Sequence, residues 1–178
     1  MGAPHNVKRY GEEWNAAELS AISTAVELIR DHVTLSGGWA WHHMTPPHVE
    51  LKHAHDHKDV DAFVAPEAKG ELVELLKGLG FERTWTRHDG KSDDFHRYTV
   101  VEAGFQVILD LYTGDVPSVT TPSGVKVVEP KHLISLYGTT HQSKECFSFQ
   151  LAKELIAKGV DPVGRPEMAD YGKFLKLK

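Results

Sequence analysis

Residues 59–64, Asp-Val-Asp-Ala-Phe-Val, constrain the fold of this chain more than any other stretch. The alternation is that of a β-strand, whose successive side chains point to opposite faces. Asp59, Asp61 and Phe63 share one face, and Val60, Ala62 and Val64 share the other. An apolar strand has no need of two acids on one side. Left alone they repel, and each raises the other's proton affinity. A divalent cation relieves that repulsion, and hard cations such as Mg²⁺ prefer carboxylate oxygens. A third acid, Asp110, interrupts the core-like run Val107-Ile108-Leu109-Asp110-Leu111. Such an acid is costly to bury unless it is paired or bound to metal. If the two strands are neighbours, three carboxylates converge. That is enough to hold two Mg²⁺ about 3.5–4 Å apart for in-line phosphoryl transfer. The plainer alternative is a set of strand-end acids facing solvent.

Helices and strands are mixed along the rest of the chain. Asn15 and Glu18 form a capping-box-like start, and Leu19, Ile22, Val26 and Ile29 then recur at helical spacing. Val33-Thr34-Leu35 reads as a short strand broken by Gly37-Gly38. Residues 42–57 carry Pro46-Pro47 and six of the 12 histidines, so they read as largely loop, with at most one turn near Trp39–Met44. Pro66 opens a helix with Leu72, Leu75, Leu76 and Leu79 on its buried face and Gly80 as C-terminal cap. Strands follow at 81–86, 95–102, 105–112 and 125–128, with Ala103-Gly104 as a hairpin turn. Helices follow at 130–137 and 143–158. This order predicts an α+β fold, a mixed β-sheet flanked by helices, and not a doubly wound parallel sheet. The 178 residues fit a single domain, with a core at about 15–113, a C-terminal helical part at about 130–160 and a tail at 161–178.

Gly37-Gly38 precedes the acid pair. Two glycines let backbone N–H groups approach a triphosphate closely, and Ser36 can add a hydroxyl. Taken in order, Ser36-Gly37-Gly38-Trp39-Ala40, His57-Lys58-Asp59-Val60-Asp61 and Asp110 resemble the polymerase-beta-like nucleotidyltransferase superfamily. Within it, the likeness is greatest to the small enzymes that modify aminoglycosides and lincosamides, which carry Gly-Gly-Trp and His-x-Asp-x-Asp segments of this kind. The resemblance spans residues 20–113. It implies two Mg²⁺ held by Asp59, Asp61 and Asp110, and a nucleoside triphosphate whose phosphates lie at Ser36, Gly37 and Gly38. The expected reaction moves a nucleoside monophosphate to an acceptor hydroxyl and releases pyrophosphate. Asp110 either completes the second metal site or serves as general base. Lys58 and His57 are further candidates for contact with the nucleotide, although the pleat turns Lys58 away from the acid face.

The expected acceptor is a small hydroxylated molecule such as an antibiotic. Toxin-type transfer to tRNA or protein is an alternative, but a formal net charge of −5 disfavours RNA, which would require a local basic groove. The chain leaves little room for a large acceptor domain, so the acceptor site is expected to be shared across a homodimer or supplied by the C-terminal helices. A catalytically silent nucleotide- or partner-binding protein is a further alternative. So is a zinc protein built on His53-Ala-His55-Asp56-His57, since closely spaced histidines suit transition metals. Trp39 and Trp41 read as core, and Arg87, Arg97 and Lys144 as solvated surface charge. No apolar run approaches the roughly 18 residues of a membrane span, residues 1–10 lack a signal-peptide core, and the single cysteine, Cys146, fits a reducing compartment. A cytoplasmic protein is expected.

Overall fold

The computed structural model describes residues 16–46, 59–137 and 147–169. Helix α1 (Ala16–Ile29) leads through a 3₁₀ turn into strand β1 (Thr34–Ser36), and helix α2 (Gly37–Met44) starts directly from that strand. Strand β2 (Asp59–Val64) follows, then a 3₁₀ turn opened by Pro66 and helix α3 (Lys69–Gly78). Strands β3 (Glu82–Thr84), β4 (Phe95–Glu102), β5 (Phe105–Thr113), β6 (Ser118–Thr120) and β7 (Lys126–Val128) complete the sheet. Helices α4 (Pro130–Tyr137) and α5 (Phe147–Ala157) come last.

The seven strands form one mixed sheet in the order β3-β4-β5-β2-β1-β7-β6. Pairs β2–β5 and β1–β7 are parallel, and the other four are antiparallel. This is the expected α+β class. One sheet face is apolar. Val60, Ala62, Val107, Leu109 and Leu111 are each at most 1% exposed, and they pack in one core with Ile22, Val26 and Ile29 of α1. The helix expected from the 3.6-residue spacing thus buries the side that the spacing selects.

Three local differences have physical causes. Strand β6 was not expected: its three residues stand between Pro117 and Pro122 at the sheet edge, where proline is tolerated but the sequence signal is slight. Helix α2 runs on to Met44 and takes His42 and His43 with it, because the run Gly37–Met44 contains no proline. Trp39 and Trp41 on this helix are 0% and 3% exposed, as expected of core residues. Strand β3 is shorter than the expected 81–86, since Phe81 instead tucks into the core.

Candidate active site

The turn at Ala103-Gly104 has φ values of +49° and +84° and joins β4 to β5 with Glu102 opposite Phe105. Counting back from it sets Arg97 opposite Asp110. The parallel pairing of β5 with β2 sets Asp110 beside Asp61, and the antiparallel pairing of β1 with β2 sets Asp61 beside Ser36. One row thus crosses four strands on the face opposite the core: Ser36, Asp61, Asp110, Arg97. Partners directly across a ladder share a face, so these side chains are neighbours by register. Asp59 lies on the same face, one pleat toward the N-terminal end of β2.

Gly37 meets this row from the side. Its φ is +56°, a backbone conformation open to glycine at little cost. A Cβ built there would press on Oδ2 of Asp61, with Asp61 Cγ 3.3 Å away. The glycine therefore lets the head of α2 sit against the Asp61 carboxylate. Ser36, just before it, is fully buried and has the extended backbone of a helix N-cap. Replacing Gly37 by alanine is expected to cost roughly 1–3 kcal/mol from positive φ and steric contact. Gly70→Ala, in open space on α3, should be neutral or stabilising by up to about 1 kcal/mol. Denaturant melts of the two variants check this, and equal effects would overturn the assigned contact.

Arg97 is not the surface charge that its sequence context implies. It is 8% exposed and forms a two-pronged ion pair with Asp110, Nε to Oδ1 at 2.7 Å and Nη2 to Oδ2 at 2.7 Å. The same Nη2 stands 3.8 Å from Oδ2 of Asp59. Hydrogen bonding to Asp110, and then the charges of Asp110, Asp59 and Asp61, hold the guanidinium proton even more firmly than usual, against the opposing effect of burial. The pair satisfies the requirement that a buried acid find a partner. Asp110 thereby gives two of its roughly four lone-pair sites to Arg97. Among the described residues, no three His, Cys, Asp or Glu side chains gather as a metal-binding group. Asp61 stands in the row and Asp59 one pleat from it, and both are carboxylates on this face. Asp59 keeps 31% of its side chain exposed, and carboxylate oxygens are hard donors that suit Mg²⁺.

An aromatic row borders the acids on the same face. Phe63 and Tyr112 stack with centroids 5.2 Å apart, and Phe95 lies 5.0 Å from Tyr112. Burial, and then the neighbouring Asp61 and Asp110, raise the Tyr112 phenol well above its ordinary range, so it keeps its proton at neutral pH. Sequence spacing signals this row, since Phe63 and Phe95 fall in phase with Asp61 and Arg97, but the reading stopped at the charged residues.

Residues His57 and Lys58, and the cluster His53, His55 and Asp56, lie outside the described residues. Lys144 and Cys146 do as well. Of the earlier histidines, His43 is partly buried against Trp39, and among the described residues its Nε2 finds no hydrogen-bond partner. Burial, then the charge of Arg30, lowers its pKa to about 4 from 6.5. The unfolded chain therefore binds the extra proton first. The stability His43 contributes is complete above pH 6.5 and is lost as pH falls from 6.5 to about 4. The loss should reach up to about 3 kcal/mol, and His43→Phe should flatten that part of a stability–pH curve. An unchanged slope in that variant would assign the dependence to other groups.

No protein-family profile matches the chain, and no characterised relative is detected by sequence. The fold is similar to the crystal structure of ANT(2")-Ia in complex with adenylyl-2"-tobramycin. The match has a TM-score of 0.50 and 14% identity, and covers 91% of this chain and 99% of that one. At that identity the likeness concerns the fold. No helix among the described residues is long and apolar enough to cross a membrane.

Proposed function

We propose that this protein is a nucleotidyltransferase that moves a nucleoside monophosphate from a nucleoside triphosphate to a hydroxyl group of a small molecule. The observation that carries this reading is the row Ser36–Asp61–Asp110, with Gly37 at the head of α2 closed onto Asp61. The similarity to ANT(2")-Ia supports it, because that structure holds adenylyl-2"-tobramycin, an adenylyl group joined to tobramycin.

In this reading Asp59 and Asp61 hold Mg²⁺, which when bound supplies Lewis-acid stabilisation of charge on the phosphoryl oxygens. Gly37, Gly38 and Ser36 offer backbone N–H groups and the positive end of α2 to the triphosphate. The acceptor oxygen forms the new bond to the α-phosphorus while the bond to the pyrophosphate oxygen breaks. The hydroxyl proton passes to a free lone pair of Asp110, which Arg97 holds in place. Tyr112 and Phe63 line the approach, and an acceptor ring can lie against them. Transfer to a small molecule rather than RNA is favoured by the acidic row and the net charge of −5.

A thermal-shift titration with Mg²⁺ and each of the four common nucleoside triphosphates tests the reading. At about 100 times Kd a ligand adds about 2.7 kcal/mol. For a domain of this size that raises Tm by roughly 5–11 °C. One triphosphate should give a Mg²⁺-dependent rise, and Asp61→Ala should abolish it. A rise that persists in Asp61→Ala would place the nucleotide elsewhere and sink the assignment.

A further inference from the structure

A site for two divalent ions needs a carboxylate for the second ion, and among the described residues on this sheet face Asp110 is the acid that could join the pair on β2. The gap between Asp110 and Asp59 is spanned by Arg97. Nη2 of Arg97 lies 2.7 Å from Oδ2 of Asp110 and 3.8 Å from Oδ2 of Asp59, while Nε holds the other Asp110 oxygen at 2.7 Å. Two ions on the pair and Asp110 would sit about 3.5–4 Å apart. The second of them would fall against a guanidinium, which does not lose its proton in a protein. It would also have to take Asp110 through the lone pairs that the two-pronged ion pair leaves over, beside the fixed positive charge of Arg97. That pair is itself anchored, because Arg97 and Asp110 are cross-strand partners in an eight-pair ladder closed by a two-residue turn.

We infer that Arg97 is a built-in second cation, and that the site takes one divalent ion per chain, on Asp59 and Asp61. The inference rests on the nucleotidyltransferase reading and adds to it. The positive charge that a second ion would bring to the acceptor side is part of the chain, fixed in position by Asp110. Arg97 is then a positioning residue for Asp110 and a fixed electrostatic pole for the transferring phosphoryl group. It gives the site one positive charge that metal chelation cannot remove.

Manganese provides the test, because one bound Mn²⁺ gives an isolated paramagnetic signal and two ions at bonding separation give a spin-coupled one. The full chain is saturated with Mn²⁺ and, in turn, the α,β-methylene analogue of each nucleoside triphosphate, then examined by electron paramagnetic resonance and by metal analysis. The expected result is one uncoupled Mn²⁺ per chain. Asp110→Asn, which keeps the shape of the acid, should leave that single ion and its affinity in place. Arg97→Met should admit a second, coupled ion beside Asp110. Two coupled ions in the wild-type chain would overturn the inference. So would loss of an ion in Asp110→Asn, or a folded Arg97→Met chain that still binds one. If Arg97→Met does not fold, the wild-type and Asp110→Asn counts decide the matter. No Mn²⁺ bound with any analogue is a separate outcome: it removes the metal pair, and so defeats the nucleotidyltransferase reading together with this inference.

Discussion

Asp61→Ala is expected to lower nucleotidyl transfer by about a thousandfold or more with the fold intact. A metal ion that stabilises transition-state charge is worth several kcal/mol, and about 4 kcal/mol corresponds to that factor. The fold should survive because Asp61 lies on the sheet face opposite the core and is half-buried there, while its neighbours Val60 and Ala62 carry the packing. Removing one of two like charges on a strand face relieves repulsion and also withdraws an acid that attracts Arg97, so Tm should change little. Asp59→Ala should behave in the same way. The measurement is kcat/KM with the triphosphate identified by thermal shift, set beside a melt of each variant. Transfer at the wild-type rate in a folded Asp61→Ala chain would refute the proposed role.

Arg97→Met should give the largest loss of stability. The Arg97 and Asp110 side chains are each about 9% exposed, and the variant strands Asp110 as an unpaired acid. Removing one partner of such a pair typically costs about 3–5 kcal/mol. For a chain of this length the drop in Tm is roughly 6–20 °C. Replacing both, as Arg97→Met with Asp110→Leu, should recover most of it, since well-packed apolar residues often match a buried ion pair. The single and double variants close a thermodynamic cycle. Additive losses would show that the pair is not coupled, and would remove the basis for treating Arg97 as fixed. Activity should separate from stability here, because the double variant should melt near the wild type and yet transfer poorly.

Much of this arrangement was legible in the sequence. The alternation in residues 59–64 placed Asp59, Asp61 and Phe63 on one face, and the structure keeps them there. The helical spacing of Leu19, Ile22, Val26 and Ile29 selected the face that α1 buries. The meeting of Asp61 with Asp110 was conditional on neighbouring strands. Parallel pairing has no local turn to fix its register, so that contact is tertiary information. Arg97 is a different case, because its partner was readable. A two-residue turn at Ala103-Gly104 fixes an antiparallel register, and the count from it leads from Asp110 to Arg97. By residue type an arginine is usually exposed, and its place in the ladder overrides that tendency here. Helix α2 was underestimated because Pro46-Pro47 and the histidines drew the boundary too early.

The hairpin between β4 and β5 therefore acts as a ruler for the charge pattern of the site. One residue inserted or deleted within either strand between Arg97 and Asp110, with no bulge to take it up, would turn one strand over relative to the other, since a single-residue slip exchanges the two faces of a strand. The guanidinium would swing to the core side and the acid would stay behind. No site residue would have changed, yet both stability and the electrostatics of the acid row would be lost. Substitutions within the hairpin can be absorbed in cross-strand pairs, whereas a change of length keeps this register only where a bulge or a longer turn takes up the difference. Keeping the two charges on one face therefore depends on the number of residues between them as well as on the charges themselves.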